Sequence, residues 1–272
     1  MRLLKQFRSA CRLAGSYIKI SFAAELEYKA SFLVWLIANP LQFFAGFLTL
    51  NVLITSFGGL GGWNAGEIAF FYGLGGLSHG LGVILFSHTW SIGYQVTEGK
   101  FDTLLLRPHD VFFQFCFSDF NLVGVTDLIP AIPVFCYGCA AVGFRWSPAS
   151  VAALVFVILC VTLLRGGIFT LIGSIGFFAY RTQLIVLWLI ISDKGIHYPL
   201  SIYPHAVQFL LTVVLPIGFL SFYPSSLFLG KELPLQLPGG VLLWLAGLAL
   251  IFALLGYALF RAGLRHYDSA GS

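Results

Sequence analysis

The fold is decided by residues 151–178, which read VAALVFVILCVTLLRGGIFTLIGSIGFF. An α-helix needs about 20 mainly apolar residues to cross the ~30 Å hydrocarbon layer of a bilayer, and this stretch exceeds that length. Its one charged side chain is Arg165, near the midpoint. So long an apolar run is typical of a transmembrane helix.

The composition of the whole chain agrees with a membrane protein. Of its 272 residues, 58% are hydrophobic and 10% are charged, whereas about 25% of the residues of an average soluble domain are charged. So few charges could not cover a water-exposed surface, which makes lipid the solvent for this fold. We therefore predict an all-α, polytopic integral membrane protein.

Apolar runs of similar length occur elsewhere in the chain. One of them contains Asp127, Pro130 and Pro133, so we expect it to be kinked and turned partly away from lipid. Together with residues 151–178, the predicted spans are Ser31 to Phe57, Ile68 to His88, Leu122 to Val142 and Gly240 to Phe260.

The stretch from Arg181 to Gly230 holds two shorter apolar runs, divided by a charged pair and a proline-containing segment. In the preferred reading, residues 184–197 are the fifth of six transmembrane helices, and residues 199–230 are a re-entrant outer element broken at Pro216. In the other reading, the first run is an interfacial helix and residues 206–220 form the span. Both readings give six spans.

The basic residues are distributed unevenly along the chain. With the N-terminus placed in the cytoplasm, eleven of the 15 Lys and Arg residues lie in cytoplasmic segments and two, Arg145 and Lys231, lie in outer loops. This bias predicts a multi-pass protein of the cytoplasmic (inner) membrane with both termini inside. Residues 1–28 are predicted to form an amphipathic helix against lipid head groups, residues 29–262 the transmembrane domain, and residues 263–272 a cytoplasmic tail.

A short segment between the second and third spans, residues 95–108, lies on the predicted cytoplasmic side. Phe101, Leu104 and Leu105 have helical spacing and form an apolar stripe, and Pro108 ends the helix. The segment is either an interfacial helix that rests on head groups, or a helix that inserts into a groove on a soluble partner and passes motion to the membrane.

Five segments of the chain form a specific combination: Asn64–Leu74, Gly99–Pro108, Tyr198–Pro204, Phe222–Ser226 and Gly263–Gly271. This combination resembles the permease subunits of type-2 ATP-binding cassette exporters. In particular it resembles a branch with a Gly-x-x-Asp-x-x-Leu-Leu-x-Arg-Pro segment after the second span. The resemblance implies a six-span permease that pairs with a second permease, identical or paralogous, and with two separate ATPase subunits.

The same resemblance assigns coupling to the ATPase to the N-terminal interfacial helix and to residues of the 95–108 segment. ATP and Mg²⁺ would bind the partner, because neither Gly-Lys pair of this chain has the spacing of a phosphate loop. We expect no catalytic residue, metal, cofactor or nucleic-acid partner in this chain. The assigned coupling residues are Glu98, Gly99, Phe101, Asp102, Leu104, Leu105, Arg107 and Pro108.

Arg165 and Asp127 are charges inside predicted spans. A charge at the middle of a bilayer costs at least about 2.5–3.5 kcal/mol on insertion scales, so Arg165 should face protein or water. Asp127, ~9 Å deep at 1.5 Å per residue, is the nearest candidate partner by depth. The two side chains either neutralise each other between helices or line a polar translocation route, and snorkelling of Arg165 is the third reading.

Two other functions are open to a polytopic membrane protein, an ion-driven secondary transporter and an integral membrane enzyme. A secondary transporter driven by an ion gradient would need several acidic residues deep in its spans, and Asp127 is the one good candidate. An integral membrane enzyme would need a catalytic set, and the sequence has no HExxH motif and no Ser/His/Asp set on a common side. The exporter permease is the function that the sequence favours.

The charge bias makes a testable prediction about topology. A reporter fused after Ser272 should report a cytoplasmic location, because eleven of the 15 basic residues then lie inside. Paired alkaline phosphatase and fluorescent-protein fusions would measure this. Phosphatase activity at that site would mean that one span between residues 181 and 230 had been miscounted.

Overall fold

The computed structural model describes residues 29–108, 110–118, 120–179, 198–235 and 237–267. In these ranges the chain is helical apart from turns, loops and one isolated β-bridge between Leu60 and Trp63. The α-helices are α1 (Lys29–Phe57), α2 (Ala65–Phe86), α3 (Ile92–Thr97), α4 (Lys100–Leu105), α5 (Val111–Ser118), α6 (Val123–Ala141), α7 (Pro148–Ser174), α8 (His205–Phe209), α9 (Phe222–Leu229) and α10 (Val241–Arg265).

Within the described ranges, five helical stretches are long and apolar enough to cross a membrane. The prediction of an all-α, polytopic membrane protein is confirmed at this level. The sixth span predicted at residues 184–197 and the interfacial helix predicted at residues 1–28 lie outside the described residues. The five stretches are Ala30–Phe57, Ala65–Thr97, Val123–Ala141, Pro148–Phe177 and Val241–Arg265.

Two of these stretches extend past their predicted ends. The second span continues beyond α2 through a 3₁₀ turn at Ser87–Ser91 into α3. The last helix, α10, ends at Arg265 rather than at Phe260, so the first residues of the predicted 263–272 tail are helical. The lengths of the apolar runs therefore underestimate the lengths of both helices, because a helix can continue into polar residues beyond the hydrocarbon layer.

Residues 198–230 do not form one continuous helix. Helix α8 passes into a π turn at Leu210–Val214, and Leu215 then adopts an extended conformation (φ −117°, ψ 103°) before a 3₁₀ helix at Pro216–Leu220. A proline has no amide hydrogen to donate to the preceding turn, which explains the break. The break at Pro216 is thus present, while the re-entrant placement of this segment stays a prediction.

Helix α2 is the centre of the bundle. Phe70, Phe71 and Tyr72 are fully buried on it. Its N-terminus is fixed by a capping box, in which Asn64 accepts from the amide of Glu67 and the Glu67 carboxylate accepts from the amide of Asn64. The α9–α10 connection is tied to this end of the bundle, because Lys231 Nζ lies 2.7 Å from the Glu67 carboxylate.

Glycines allow α2 and α6 to approach until backbone touches backbone. A Cβ added at Gly73 would meet the backbone of Phe135, and one added at Gly138 would meet the backbone of Phe70. In lipid there is no hydrophobic driving force between helices, so small residues that permit close van der Waals packing are the usual means of association. Among the described residues, the α2–α6 contact is therefore one of the closest approaches between two spanning helices.

This packing predicts the effect of adding one methyl group. Gly138→Ala should lower the thermal stability of the purified protein, since overpacking of a close contact costs about 1–3 kcal/mol. Gly247→Ala is the matched control, because Gly247 also lies within an apolar helix but has no atom within 4 Å of the added Cβ. The measurement is the unfolding midpoint in detergent by fluorescence-detected gel filtration, and equal midpoints for the two variants would contradict the packing.

Candidate functional site

The connection between α2 and α6 contains the segment that the sequence marked for coupling. Gly99 separates α3 from α4 with a φ of +67°, a conformation that L side chains rarely adopt. This left-handed turn reverses the chain and starts α4 at Lys100. Asp102 lies in the first turn of α4, where a carboxylate is stabilised by the amide groups of the helix N-terminus.

The inward side of α4 is anchored in an aromatic cluster. Phe101 is fully buried, and its ring centroid lies 5.4 Å from that of Phe115, 5.1 Å from Phe177, 5.9 Å from Phe260 and 5.7 Å from Tyr267. These rings belong to α5, to the end of the α7 stretch and to the end of α10. One side chain of the short helix thus contacts three other parts of the bundle.

The outward side of the same segment is apolar and exposed. Leu105 is 48% exposed and Leu106 is 86% exposed, and Arg107 and Pro108 beside them are also exposed. The predicted stripe of Phe101, Leu104 and Leu105 is therefore divided. Its first two members pack inside this chain, because α4 is short enough to lie flat on the aromatic cluster, and the surface left for a partner is Leu105 with Leu106.

Glu98 closes the turn before Gly99. Its carboxylate forms an ion pair with Lys100 at 3.0 Å. Hydrogen bonds lower the pKa of the Glu98 carboxyl, the larger effect coming from Tyr94 and the smaller one from Lys100. Glu98 thus has a local role in holding the turn. Contact of any of these residues with an ATPase stays a prediction.

The segment also departs from the pattern of the branch that it resembles. In this chain the run reads Gly99-x-x-Asp102-x-Leu104-Leu105-x-Arg107-Pro108. That is one residue shorter than the branch pattern between the Asp and the paired Leu. Membership of that particular branch is therefore a proposal, whereas the resemblance of the whole combination does not depend on it.

A second group of polar side chains lies between α1, α2 and α6. Asn39 Nδ2 donates to Asp127 Oδ1 and to Thr126 Oγ1, each at 2.8 Å. On the other side of the carboxylate, His79 Nε2 lies 3.8 Å from Asp127 Oδ2. Three helices thus contribute one polar group each to a network around Asp127.

Arg165 lies on α7, fully buried, and faces the protein interior as predicted. Its side chain packs where a Cβ would stand on Gly82, and its guanidinium carbon lies 5.9 Å from the centroid of the Phe169 ring. It interacts electrostatically with Asp127. Among the described residues, however, the direct contacts of the Asp127 carboxylate are with Asn39 and His79.

A cavity of about 430 Å³ opens beside this network. It has the size of a small-molecule site, since such pockets typically enclose roughly 300–1,000 Å³. Aromatic rings and amide groups alternate around it. The lining residues are Trp35, Asn39, Gln42, Phe43, Gly76, His79, Val83, Trp90, Asn121, Val123 and Asp127.

Sequence reasoning missed Asn39 and His79 as partners of Asp127, and it did not single out Leu106. Each had a signal that could have been used. Asn39 and His79 are polar residues well inside apolar spans, where a polar side chain normally has an internal partner. Leu106 extends an apolar run beyond the predicted stripe, directly before Arg107 and Pro108.

The long apolar helices of the described residues define a multi-pass membrane protein, with a polar cavity among its spans. A family model described as ABC-2 family transporter protein matches residues 41–271. The chain belongs to this family. Its members are membrane components of ATP-binding cassette transporters and are generally not themselves catalytic. Membership in the family implies association with ATP-binding cassette ATPases. No curated protein and no solved structure was found to match.

The aromatic cluster predicts opposite behaviour for two side chains on the same segment. Phe101→Ala should destabilise the protein by about 3–5 kcal/mol, the usual cost of truncating a buried Phe. Leu106→Ala should leave the unfolding midpoint unchanged, because that side chain is exposed. Thermal unfolding of both variants in the same detergent is the measurement, and a fully stable Phe101→Ala protein would show that the cluster does not anchor α4.

Proposed function

We propose that this chain is the permease subunit of an ATP-driven exporter. It crosses the cytoplasmic membrane six times with both termini inside, and two permease subunits, identical or paralogous, form the translocation path. Two separate ATPase subunits bind ATP and Mg²⁺ on the cytoplasmic side. Family membership supports the transporter class, and the charge distribution of the sequence supports the orientation.

The observation that supports coupling is the two-sided character of the 95–108 segment. Its outer tip exposes Leu105 and Leu106, which is the kind of apolar surface that a groove on a soluble partner buries. Its inner side places Phe101 against rings from the ends of the α7 stretch and α10. A force applied at the tip therefore acts on the ends of two spanning helices.

The packing of the cluster makes this transmission direct. Protein interiors are close-packed and transmit strain, and the rings around Phe101 leave its side chain no exposed surface. Closure of the ATPases upon ATP binding would push or tilt α4, and the ends of α7 and α10 would move with it. Alternating access is the expected result, because a bundle of packed helices changes between discrete arrangements.

The second permease subunit has an apolar surface to pack against. Among the described residues, helix α1 is the least buried of the candidate spans. Ile37 and Leu41 are 67% and 68% exposed on this helix. Lipid, or the other permease subunit, would cover this face, and in our proposal α1 is shared between both.

The coupling proposal is tested by truncating the exposed tip. Leu105→Ala combined with Leu106→Ala should lower the affinity for the ATPase by at least about 100-fold, because burying each large apolar side chain contributes about 1.5–3 kcal/mol, or roughly 10- to 100-fold in affinity. The permease itself should remain folded, since neither side chain is buried. The measurements are the number of ATPase subunits per permease and the ATPase turnover in the complex purified in detergent.

Leu227→Ala is the control for this experiment. Leu227 is 40% exposed on α9, a different helix from the 95–108 segment, so the same loss of side chain there should leave the complex intact. Full stoichiometry and turnover in the double variant would contradict the proposal. The segment would then be an interfacial helix that rests on lipid head groups.

A further inference from the structure

The cavity between α1, α2 and α6 combines a carboxylate with aromatic walls. The Asp127 side chain is 19% exposed and the His79 side chain 33% exposed, so both are accessible from the cavity they line. Trp35, Phe43 and Trp90 supply the aromatic surface. A partly buried anion next to indole and phenyl rings attracts cations both by charge and through the ring quadrupoles.

The carboxylate is held in place before any ligand arrives. Asp127 Oδ1 accepts from Asn39 Nδ2, which is itself fixed by a second bond to Thr126 Oγ1, and Thr126 Oγ1 donates to the carbonyl of Val123 at 2.6 Å. Oδ2 has the longer 3.8 Å contact to His79 and remains the more available oxygen. A preorganised carboxylate of this kind loses little freedom on binding.

The formal charge on the cavity wall is negative. Of the described lining residues, Asp127 is the one that carries a formal charge at neutral pH when His79 is neutral. Arg165 packs against Gly82 and acts electrostatically on Asp127, but it is not one of the residues that line the cavity. An anionic ligand would meet the carboxylate first, whereas a cation would meet it together with the aromatic rings.

The position of the cavity suits loading from the cytoplasmic side. In the predicted orientation α1 and α6 both run outward from the inner face. Asp127 lies four residues after the start of α6 at Val123, or ~6 Å along the helix at 1.5 Å per residue. In this orientation the cavity lies in the inner half of the bilayer, at the depth of the inner leaflet.

We infer that this cavity is a binding site for lipophilic organic cations, with Asp127 as the counter-ion and Trp35, Phe43 and Trp90 as the aromatic wall. The inference rests on the proposed exporter function, whose substrate class it names. Binding itself requires only the permease. Occupation of the site places the positive centre near Oδ2 and the apolar groups against the rings, in a cavity of drug-sized volume.

Two probes of the same shape and opposite charge test the inference. Tetraphenylphosphonium and tetraphenylborate are to be titrated by equilibrium dialysis against the full-length chain in neutral detergent, without ATPase or nucleotide. The cation should bind saturably, and the anion should show only non-saturable partition into detergent. Saturable binding of the anion, or equal behaviour of the two probes, would overturn the inference.

Substitutions then locate the site. Asp127→Asn keeps the shape and the bond from Asn39, and should weaken binding of the cation at least 10-fold. Glu232→Gln, an equal change of charge at an exposed loop residue, should have no effect. Trp35→Leu removes a half-exposed aromatic residue of the cavity wall, so it should have little effect on folding. It should lower the affinity for the cation several-fold.

Each result has a defined consequence. Unchanged affinity in Asp127→Asn would overturn the inference, and, if that variant is not recovered as folded protein, unchanged affinity in Trp35→Leu would do so. Because the dialysis experiment uses no ATPase, a lack of cation binding would not contradict the proposal that residues 95–108 couple to an ATPase. Conversely, the Leu105→Ala, Leu106→Ala protein should bind the cation normally even when it has lost its ATPase.

Discussion

Helices α2 and α6 approach each other at Gly73 and Gly138 so closely that a single Cβ would meet the opposing backbone. This contact also constrains α1 and α7, because both of these helices pack against α2. Lipid cannot drive helices together by the hydrophobic effect, so their association depends on close van der Waals contact. Gly73 of α2 and Gly138 of α6 serve packing, and a side chain at either position would separate the two helices.

The polar residues of the spans follow from the same constraint. With α2 held against α6, His79 and Asp127 come within 3.8 Å, and Asn39 of α1 completes the network. Polar groups in a bilayer must find partners inside the protein, since the hydrocarbon offers none. The side chains that satisfy one another also border a cavity, and this is why a network with a structural purpose can present one carboxylate oxygen to a ligand.

Sequence alone predicted the spanning helices well, because crossing a hydrocarbon layer requires a length and an apolarity that can be read directly. It also placed a break at Pro216, since a missing amide hydrogen is a local property. It did not predict that Phe101 packs inside this chain. Helical periodicity shows which residues share a face, but not whether that face meets the same chain or a partner.

The partners of Asp127 were missed for a related reason. Depth along a helix suggested Arg165, whereas the direct contacts depend on the rotation of three helices about their axes. Glycine contacts between helices constrain this rotation, and those between α2 and α6 join residues more than 60 positions apart in sequence, such as Gly73 and Phe135. A single sequence does not contain that information in any local pattern.

The central claim is that the tip of the 95–108 segment contacts an ATPase while its base stays in the aromatic cluster. The most direct measurement is photo-crosslinking in cells, with a photoreactive amino acid at position 106 and, as the control, at position 250, where Leu250 is 57% exposed on spanning helix α10. The account predicts a crosslinked product between position 106 and an ATP-binding cassette ATPase, and none from position 250. Crosslinks from position 106 to lipid alone would contradict it.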